Sequence, residues 1–412
     1  MTIEKDPFDE TFDSLETLVD TISEVLHCPV TLEDANHRLL AYSSHDPQTD
    51  PARIATIIGR RVPERVIHSL WREGVIQRLS NSDEPIRIRA IHEVGLGNRV
   101  AIAIRKNNDV LGYIWVLEEE NPLDEQAMHQ LKKAAQAAKT KLLQLQVQKR
   151  KQEEGYQEFF WKLLTGHVQS LAAIKEQADK LLLTLPPCYR VLVFQFNEDI
   201  SNQLYKQIHY LITTTQRVRI IFHVVDRNQL IMLASPYHQS QPNAQDTFTE
   251  FIRDFFTQMK ERYQVTSIGA GAGSLFYEDY TKVEKSYQEA LTVLQIKKQF
   301  PNSTKDTFHF EDLGFYRYLP AMLEQKRAQR FVNPHLQKLR DYDREHHAHL
   351  LKTLEVYLSC DCNVKEAADQ LHVHTNTLNY RLSRISEIAG INLKNMDHKV
   401  SLYLDLKMEQ GE

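Results

Sequence analysis

Apolar residues recur at helical spacing near the start of the chain, at Phe12, Leu15, Leu18, Val19, Ile22, Val25 and Leu26, and Pro29 stops the run. Strand-like segments Val30-Thr-Leu-Glu-Asp and Arg38-Leu-Leu-Ala-Tyr-Ser flank Ala35-Asn36-His37 and predict a hairpin. A second hairpin is predicted from Val100-Ala-Ile-Ala-Ile and Val110-Leu-Gly-Tyr-Ile-Trp-Val around Lys106-Asn107-Asn108-Asp109, because Asn and Asp tolerate the left-handed backbone of a tight turn. Between the hairpins, Ala52 to Leu70 reads as helical. From 124 to 154 the pattern predicts one long helix. Met128, Leu131, Ala135, Ala138, Leu142 and Leu145 fall at alternating steps of three and four. Such a heptad seam fits a parallel coiled coil joining two subunits, or an amphipathic helix packed on its own domain.

Beyond 156 the pattern changes. Helical segments Tyr156 to Leu164 and Leu171 to Leu183 lead to Pro186-Pro187, followed by strands beginning at Tyr189, Val218 and Gln229, the last two joined by Asp226-Arg227-Asn228. A helix around Phe248 to Tyr263, a strand from Val265 and a helix from Thr281 to Gln299 complete a βαββαβα order, which suits a ferredoxin-like or nucleotide-cyclase-like sheet. The opening helix, early hairpin and closing hairpin resemble, in layout, the PAS and GAF class of small sensor domains. The expected fold is therefore α+β and multidomain: a PAS/GAF-like sensor over 1–121, a signalling helix or coiled coil over 122–155, a ferredoxin/cyclase-like middle domain over 156–305, and a C-terminal all-α region over 306–412.

Composition narrows the class. A chain of 412 residues exceeds what one hydrophobic core supports and predicts two to four domains. Hydrophobic residues at 42% and charged residues at 25% are ordinary for a globular protein, and no apolar run approaches the roughly 20 residues needed to cross a bilayer. The start, Met-Thr-Ile-Glu-Lys-Asp-Pro, has no basic segment followed by an apolar one, so no secretory signal and no membrane partner are expected. Cys28, Cys188, Cys360 and Cys362 are too few and scattered for a disulfide framework; reduced thiols in the cytoplasm are expected. The net charge of −5 does not announce nucleic-acid binding, although local positive charge on one element suffices for groove contact.

Gly269, Gly271 and Gly273 form G-x-G-x-G, which lacks the dinucleotide-site spacing and any following Gly-Lys-Ser/Thr. No Gly-Gly-acid-Glu-Phe run of a diguanylate cyclase occurs, so the run reads as a tight strand-to-helix turn and no catalytic activity or cofactor is expected. Cys360 and Cys362 precede His372 and His374, but C-x-C with H-x-H fits structural zinc poorly. His346, His347 and His349 read as the solvated side of a helix.

The informative stretch is 350–408. Leu350, Leu351, Leu354 and Leu358 predict a helix, and Asn363-Val-Lys-Glu366 has the form of a capping box for a second, whose inner face is Val364, Ala367, Ala368 and Leu371. His372-Val373-His374 makes the turn, with Val373 plugging it. The third helix, Thr375 to about Ala389, buries Leu378, Leu382, Ile385 and Ala389, and Gly390 ends it. Its polar face is Thr375, Asn376, Thr377, Asn379, Tyr380, Arg381, Ser383 and Arg384, and no acid lies between Asp369 and Glu387. Such a face suits the major groove of double-stranded DNA, where Arg can fork onto guanine and Asn onto adenine. Asn376, Asn379 and Arg381 are the expected base contacts, with Thr375, Tyr380 and Arg384, beside Thr377, toward the backbone; Arg381→Ala is expected to cost about 1–3 kcal/mol in specific binding.

His374, Asn376, Thr377, Leu378, Tyr380, Arg381, Leu382 and Ile385 reproduce a His-x-Asn-Thr-Leu-x-Tyr-Arg-Leu-x-x-Ile core, and with it the stretch from Leu350 to Leu393 resembles the C-terminal helix-turn-helix of the PucR/CdaR family of bacterial regulators. The middle region is similar to that family's degenerate cyclase-like domain. The resemblance implies a transcriptional activator of catabolic genes, a homodimer or higher oligomer, with an N-terminal domain that senses a small-molecule effector; length and N-terminal layout bring forward proline. The chain departs from the family at Thr375, Asn379 and Ser383, where Arg is common, which implies fewer phosphate contacts and a shallower salt dependence. Two other readings stay open from the residues alone: a cyclase-like nucleotide enzyme, and an interaction scaffold whose terminal bundle binds protein.

Overall fold

The computed structural model describes residues 7–8, 12–43, 49–107, 109–118, 122–168, 170–237 and 244–410. Two compact units emerge, Met1–Gly269 with Leu275–Glu284, and Ala270–Ser274 with Lys285–Glu412.

The first unit opens with α1 (Leu15–Leu26), capped by Ser14, whose hydroxyl accepts from the Thr17 N–H at 3.1 Å. Strands β1 (Val30–Asp34), β2 (Leu39–Tyr42), β3 (Ile86–Ile88), β4 (Arg99–Lys106) and β5 (Asp109–Leu117) form an antiparallel sheet in the order β2-β1-β5-β4-β3. Both predicted hairpins are present. Asp34 Oδ1 closes the first by accepting from the Asn36 and Arg38 N–H groups, and Asn107 at φ 55° turns the second; Asn108 lies outside the described residues. The period of two sorts the sheet's side chains. Val30, Leu32, Val100, Ile102, Ile104, Ile114 and Val116 pack on α1, whereas Tyr113, Trp115, Ala101 and Ala103 pack on the helices α2 (Pro51–Gly59), α3 (Glu64–Arg72) and α4 (Val75–Ser80). Thr31 and Glu33 alternate onto this second face. One helix was expected across 52–70. The chain instead leaves α2 through Arg60 at φ 53°, bridges Arg61 to Arg38, and restarts after Pro63, because proline disfavours helical backbone in the residue before it.

Helix α5 (Glu125–Leu164) is 40 residues long and absorbs the segment 156–164 that the sequence assigned to a separate helix. Its seam was open to two readings, a coiled coil between subunits or a helix packed on its own domain, and four of its positions fit the second. Leu131, Ala135, Ala138 and Leu142 are buried in the same core as α1 and the first sheet, so these positions are already occupied within the chain. Toward its end, Phe159 and Phe160 pack on Phe222, at ring-centroid distances of 5.7 and 5.3 Å.

Next come α6 (Leu171–Lys180), β6 (Cys188–Phe196), α7 (Asn202–Thr214), β7 (Val218–Asp226), β8 (Gln229–Pro236), α8 (Ala244–Tyr263), β9 (Ile268–Ala272), the two-residue β10 (Phe276–Tyr277) and α9 (Val283–Gln299). The βαββαβα expectation is met, with β10 added. Strands run β10-β6-β8-β7 with antiparallel pairing, and Arg227 at φ 51° makes the β7–β8 turn.

In the second unit the short α10 (Pro301–Thr304) and α11 (Leu319–Gln329) precede a bundle of α12 (Pro334–His346), α13 (Leu350–Ser359), α14 (Val364–Gln370), α15 (Thr375–Ala389) and α16 (Met396–Gln410). Leu336, Leu339, Leu354, Leu358, Ile385, Ala389 and Leu402 form its core, and Ala367 and Ala368 let α14 sit against Val356 and Leu378. The glycine run has a different cause from the turn expected. Gly271 and Gly273 have no positive φ; a Cβ on either would collide with the carbonyl oxygens of Ala290 and Ser286 on α9. Close approach of a helix backbone requires them.

Candidate nucleic-acid interface

Two caps fix the turn and the third helix. Asn363 Oδ1 accepts from the Lys365 and Glu366 N–H groups at 3.0 and 3.2 Å, but the return bond of a full capping box is not made, because the Asn363 N–H already donates to the Cys360 carbonyl at 2.8 Å. His372 takes φ 54° at the turn, and Val373 packs half-buried on the cluster of Ala367, Ala368 and Leu378. At the start of α15 the cap is His374, whose Nδ1 accepts from the Asn376 N–H at 3.2 Å; Gly390 at φ 66° ends the helix.

With Leu378, Ile385 and Ala389 turned inward, Asn376, Asn379, Tyr380 and Ser383 form an exposed stripe at i, i+3, i+4 and i+7. Tyr380 is 72% exposed, an apolar ring with a polar tip held in water. Thr377 is exposed beside the stripe and Thr375 is half-buried. The arginines differ from the asparagines. Arg381 lies half-buried against α13, its Nη1 3.4 Å from the Thr353 hydroxyl. Arg384 is tethered to Glu387 at 2.9 Å, with its guanidinium 5.3 Å from the Tyr342 ring centroid on α12. The structure thus brings Asn376, Asn379 and Tyr380 together on one surface, flanked by Thr377 and Arg384, and turns Arg381 away from it. The Cys360 thiol points to Gln370 Oε1 at 3.0 Å inside the bundle, and burial pushes its pKa up.

Two residues ahead of the 350–408 stretch support it in ways the sequence did not signal. Asp343 accepts from the Leu350 and Leu351 N–H groups at 2.7 and 2.9 Å, capping α13 from α12 because His349, at φ 50°, offers no side-chain cap. Asn333 caps α12 and donates to Asp405 Oδ2 on α16 at 2.6 Å.

The first unit holds a buried polar chain that the sequence reading passed over, since it treated Glu33 and His37 only as hairpin positions. Glu33 Oε2 is 3.1 Å from His37 Nδ1 and 3.0 Å from Trp115 Nε1. His37 Nε2 is 3.0 Å from the Tyr210 hydroxyl, and Trp71 Nε1 donates to that hydroxyl at 2.9 Å. Within Val30-Thr-Leu-Glu-Asp, a carboxylate beside Asp34 at the turn end of a hairpin arm gives no distinct sequence signal. Burial drives the Tyr210 pKa well above its usual value and that of Tyr113 to about 12.

Among the described residues no helix is long and apolar enough to cross a membrane. Residues 350–408 match the model of the PucR C-terminal helix-turn-helix domain, and residues 165–296 that of a GGDEF-like domain. The chain is 46% identical to the DNA-binding transcriptional activator AdeR of Bacillus subtilis (strain 168) over 99% of this chain and 96% of that protein. It is 29% identical to the proline-responsive transcriptional activator PutR of the same organism, over 96% and 97% of the two chains. It is also 31% identical to the same organism's purine catabolism regulatory protein, over 39% of this chain and 29% of that one. A mixed α/β body with a GGDEF-like middle region, joined to this helical module, therefore belongs to the PucR family of DNA-binding transcriptional regulators.

Proposed function

We propose that the protein is an effector-responsive activator of catabolic genes in the cytoplasm, acting as a homodimer or higher oligomer on double-stranded DNA. Residues 1–121 would be a PAS/GAF-like sensor, 122–155 the signalling helix, 156–305 a cyclase-like domain without catalysis, and 306–412 the region carrying the DNA reader. Helix α15 enters the major groove with Asn376, Asn379 and Tyr380 toward the bases and with Thr375, Thr377 and Arg384 near the backbone. Arg381 acts chiefly by holding α15 to α13 through Thr353. The effector is a small metabolite; the printed description of PutR makes proline one member of the class to try. The reading is carried by the exposed stripe of Asn376, Asn379, Tyr380 and Ser383, which is hydrogen-bonding in character and bears no carboxylate before Glu387. With only Arg384 as a flanking cation, two copies bound to paired half-sites would supply affinity that a single copy lacks. Gel-shift titration of the full-length protein on DNA upstream of its own gene and neighbouring operons, at fixed salt and with effector present, tests it. A retarded band competed by specific but not by unrelated DNA is expected; no retardation on any fragment rejects it.

A further inference from the structure

A cleft of about 520 Å³ wraps the outer edge of β7. This strand ends the second sheet, and among the described residues no strand pairs with its outer side. Every second residue of an edge strand turns its N–H and C=O outward, so this wall offers backbone donors and acceptors in a row. A register shift between Ile220 and Phe222 leaves Ile221 opposite no residue of β8, a bulge of the kind that re-aims backbone beside binding sites. Phe222 packs on α5, whereas His223, its neighbour on the opposite face, lies with its ring 5.4 Å from that of His209 on α7. Across the cleft, Arg38 and Arg61 oppose each other on an antiparallel bridge. The Leu39 N–H donates to the Arg60 carbonyl and the Val62 N–H to the His37 carbonyl, each at 3.0 Å. That pattern makes the two arginines a non-hydrogen-bonded pair, the arrangement in which side chains stand closest. Like charges directly opposite destabilise a strand pair, yet among the described residues neither guanidinium has an ion-pair or hydrogen-bond partner. Asp34, the carboxylate nearest in sequence, is committed through Oδ1 to the Asn36 and Arg38 N–H groups.

The two ends of the cleft differ. Gln216 Nε2 donates to the Val62 carbonyl at 2.9 Å, which sets the arginine pair beside the passage from α7 into β7. The far end carries Tyr205 of α7, whose ring lies 5.9 Å from that of His209, and Glu153 of α5. Tyr205 and Thr213, which both line the cleft, are about 12 Å apart along α7. An inorganic anion would satisfy the arginines and leave the rings idle. An uncharged ring compound would leave the guanidiniums facing each other. A molecule with an anionic head at one end and a flat, hydrogen-bonding ring at the other meets both ends at once. We propose that this cleft binds a nucleoside monophosphate. Its phosphate is held by Arg38 and Arg61, its base lies against Tyr205, and the base's polar edge meets the backbone of β7. Glu153 can only accept, so it selects a base that bears an amino group. The ligand touches the hairpin of the first sheet, α5, α7 and the edge of the second sheet together, so it adds a nucleotide input to whatever metabolite the protein senses. The site stands whether or not the DNA contacts proposed for α15 hold.

The test is calorimetric titration of the full-length protein with the monophosphates of adenosine, guanosine, cytidine and uridine, and with adenosine, ribose phosphate and inorganic phosphate as partial ligands. Saturable binding that raises the melting temperature is expected for one or more of the three monophosphates with an amino-bearing base. Uridine monophosphate and each partial ligand should bind about tenfold more weakly or worse. Arg61→Met should weaken nucleotide binding by about tenfold or more, yet melt no lower than the unaltered protein without nucleotide, because it relieves a like-charge pair. Should Arg61→Met fail to fold, Arg38→Met on the exposed side of the same pair decides in its place. Glu153→Gln should narrow the gap between uridine monophosphate and the others. Absence of binding by every monophosphate, or unchanged affinity in the arginine variant, overturns the site. Ribose phosphate or inorganic phosphate binding as tightly as the nucleotides overturns the assignment of the ligand.

Discussion

The Tyr210 hydroxyl lies 3.0 Å from His37 Nε2, joining the hairpin of the first sheet to α7 beside the second. Trp71 can only donate, so the Tyr210 oxygen accepts from it. His37 bridges that hydroxyl through Nε2 and Glu33 Oε2 through Nδ1, the direction of each bond following the ring's tautomer. The chain reads from α3 through α7 to β1.

Removing the hydroxyl should therefore take a partner from two ring nitrogens, those of Trp71 and His37. Tyr210→Phe keeps the ring contacts with His37 and Trp71 and is expected to lower the stability of the first unit by about 1–3 kcal/mol. Urea unfolding followed by tryptophan fluorescence measures it; an unchanged midpoint would mean the chain contributes nothing to holding the two sheets.

On α15, the exposed and tethered residues should separate. Asn379→Ala and Tyr380→Ala are expected to cost about 1–3 kcal/mol each in specific DNA affinity at unchanged melting temperature. Arg381→Ala should lower the melting temperature of the bundle through loss of the Thr353 contact. A variant set in which Arg381→Ala alone abolishes binding while melting normally would return that arginine to the DNA.

Glu387 restrains Arg384 on an exposed pair. Glu387→Gln should free the guanidinium for a phosphate, tighten binding several-fold and steepen the slope of log K against log salt by about 1. Fluorescence anisotropy at several salt concentrations reads both; a flatter slope contradicts the assignment.

Asp343 caps a helix on another element. Asp343→Ala leaves the Leu350 and Leu351 N–H groups without their acceptor and should destabilise the bundle by about 1–2 kcal/mol. Differential scanning calorimetry checks this, and a loss no larger than that of an exposed control such as Glu345→Ala would refute the cap.

What the sequence disclosed follows from the range of the forces involved. The C-terminal bundle was readable because its signals are local: Ala367 and Ala368 at the helix crossing, Leu378, Ile385 and Ala389 at helical steps, Gly390 as a stop. Strand order was not, since β1 pairs with β5 across some eighty residues, and nothing at Thr31 announces Trp115. The seam of α5 left two readings open because a period of three and four is the same whether the partner is a second subunit or the chain's own sheet. Along α15, spacing gave the faces but not the reach of a long side chain: Arg381 sits at the edge of the stripe and folds inward to Thr353. Tyr210 and Glu33 lie far apart in sequence and could only be joined by the fold.

Helix α5 has a mechanical consequence. At 40 residues it is a rod of about 60 Å, with one end bedded in the first sheet through Leu131 and Leu142 and the other gripping Phe222 of the second through Phe159 and Phe160. A lever of that length turns a pivot of a few degrees at one end into a displacement of several ångströms at the other, so a change too small to unpack the first sheet is large by the time it arrives at β7.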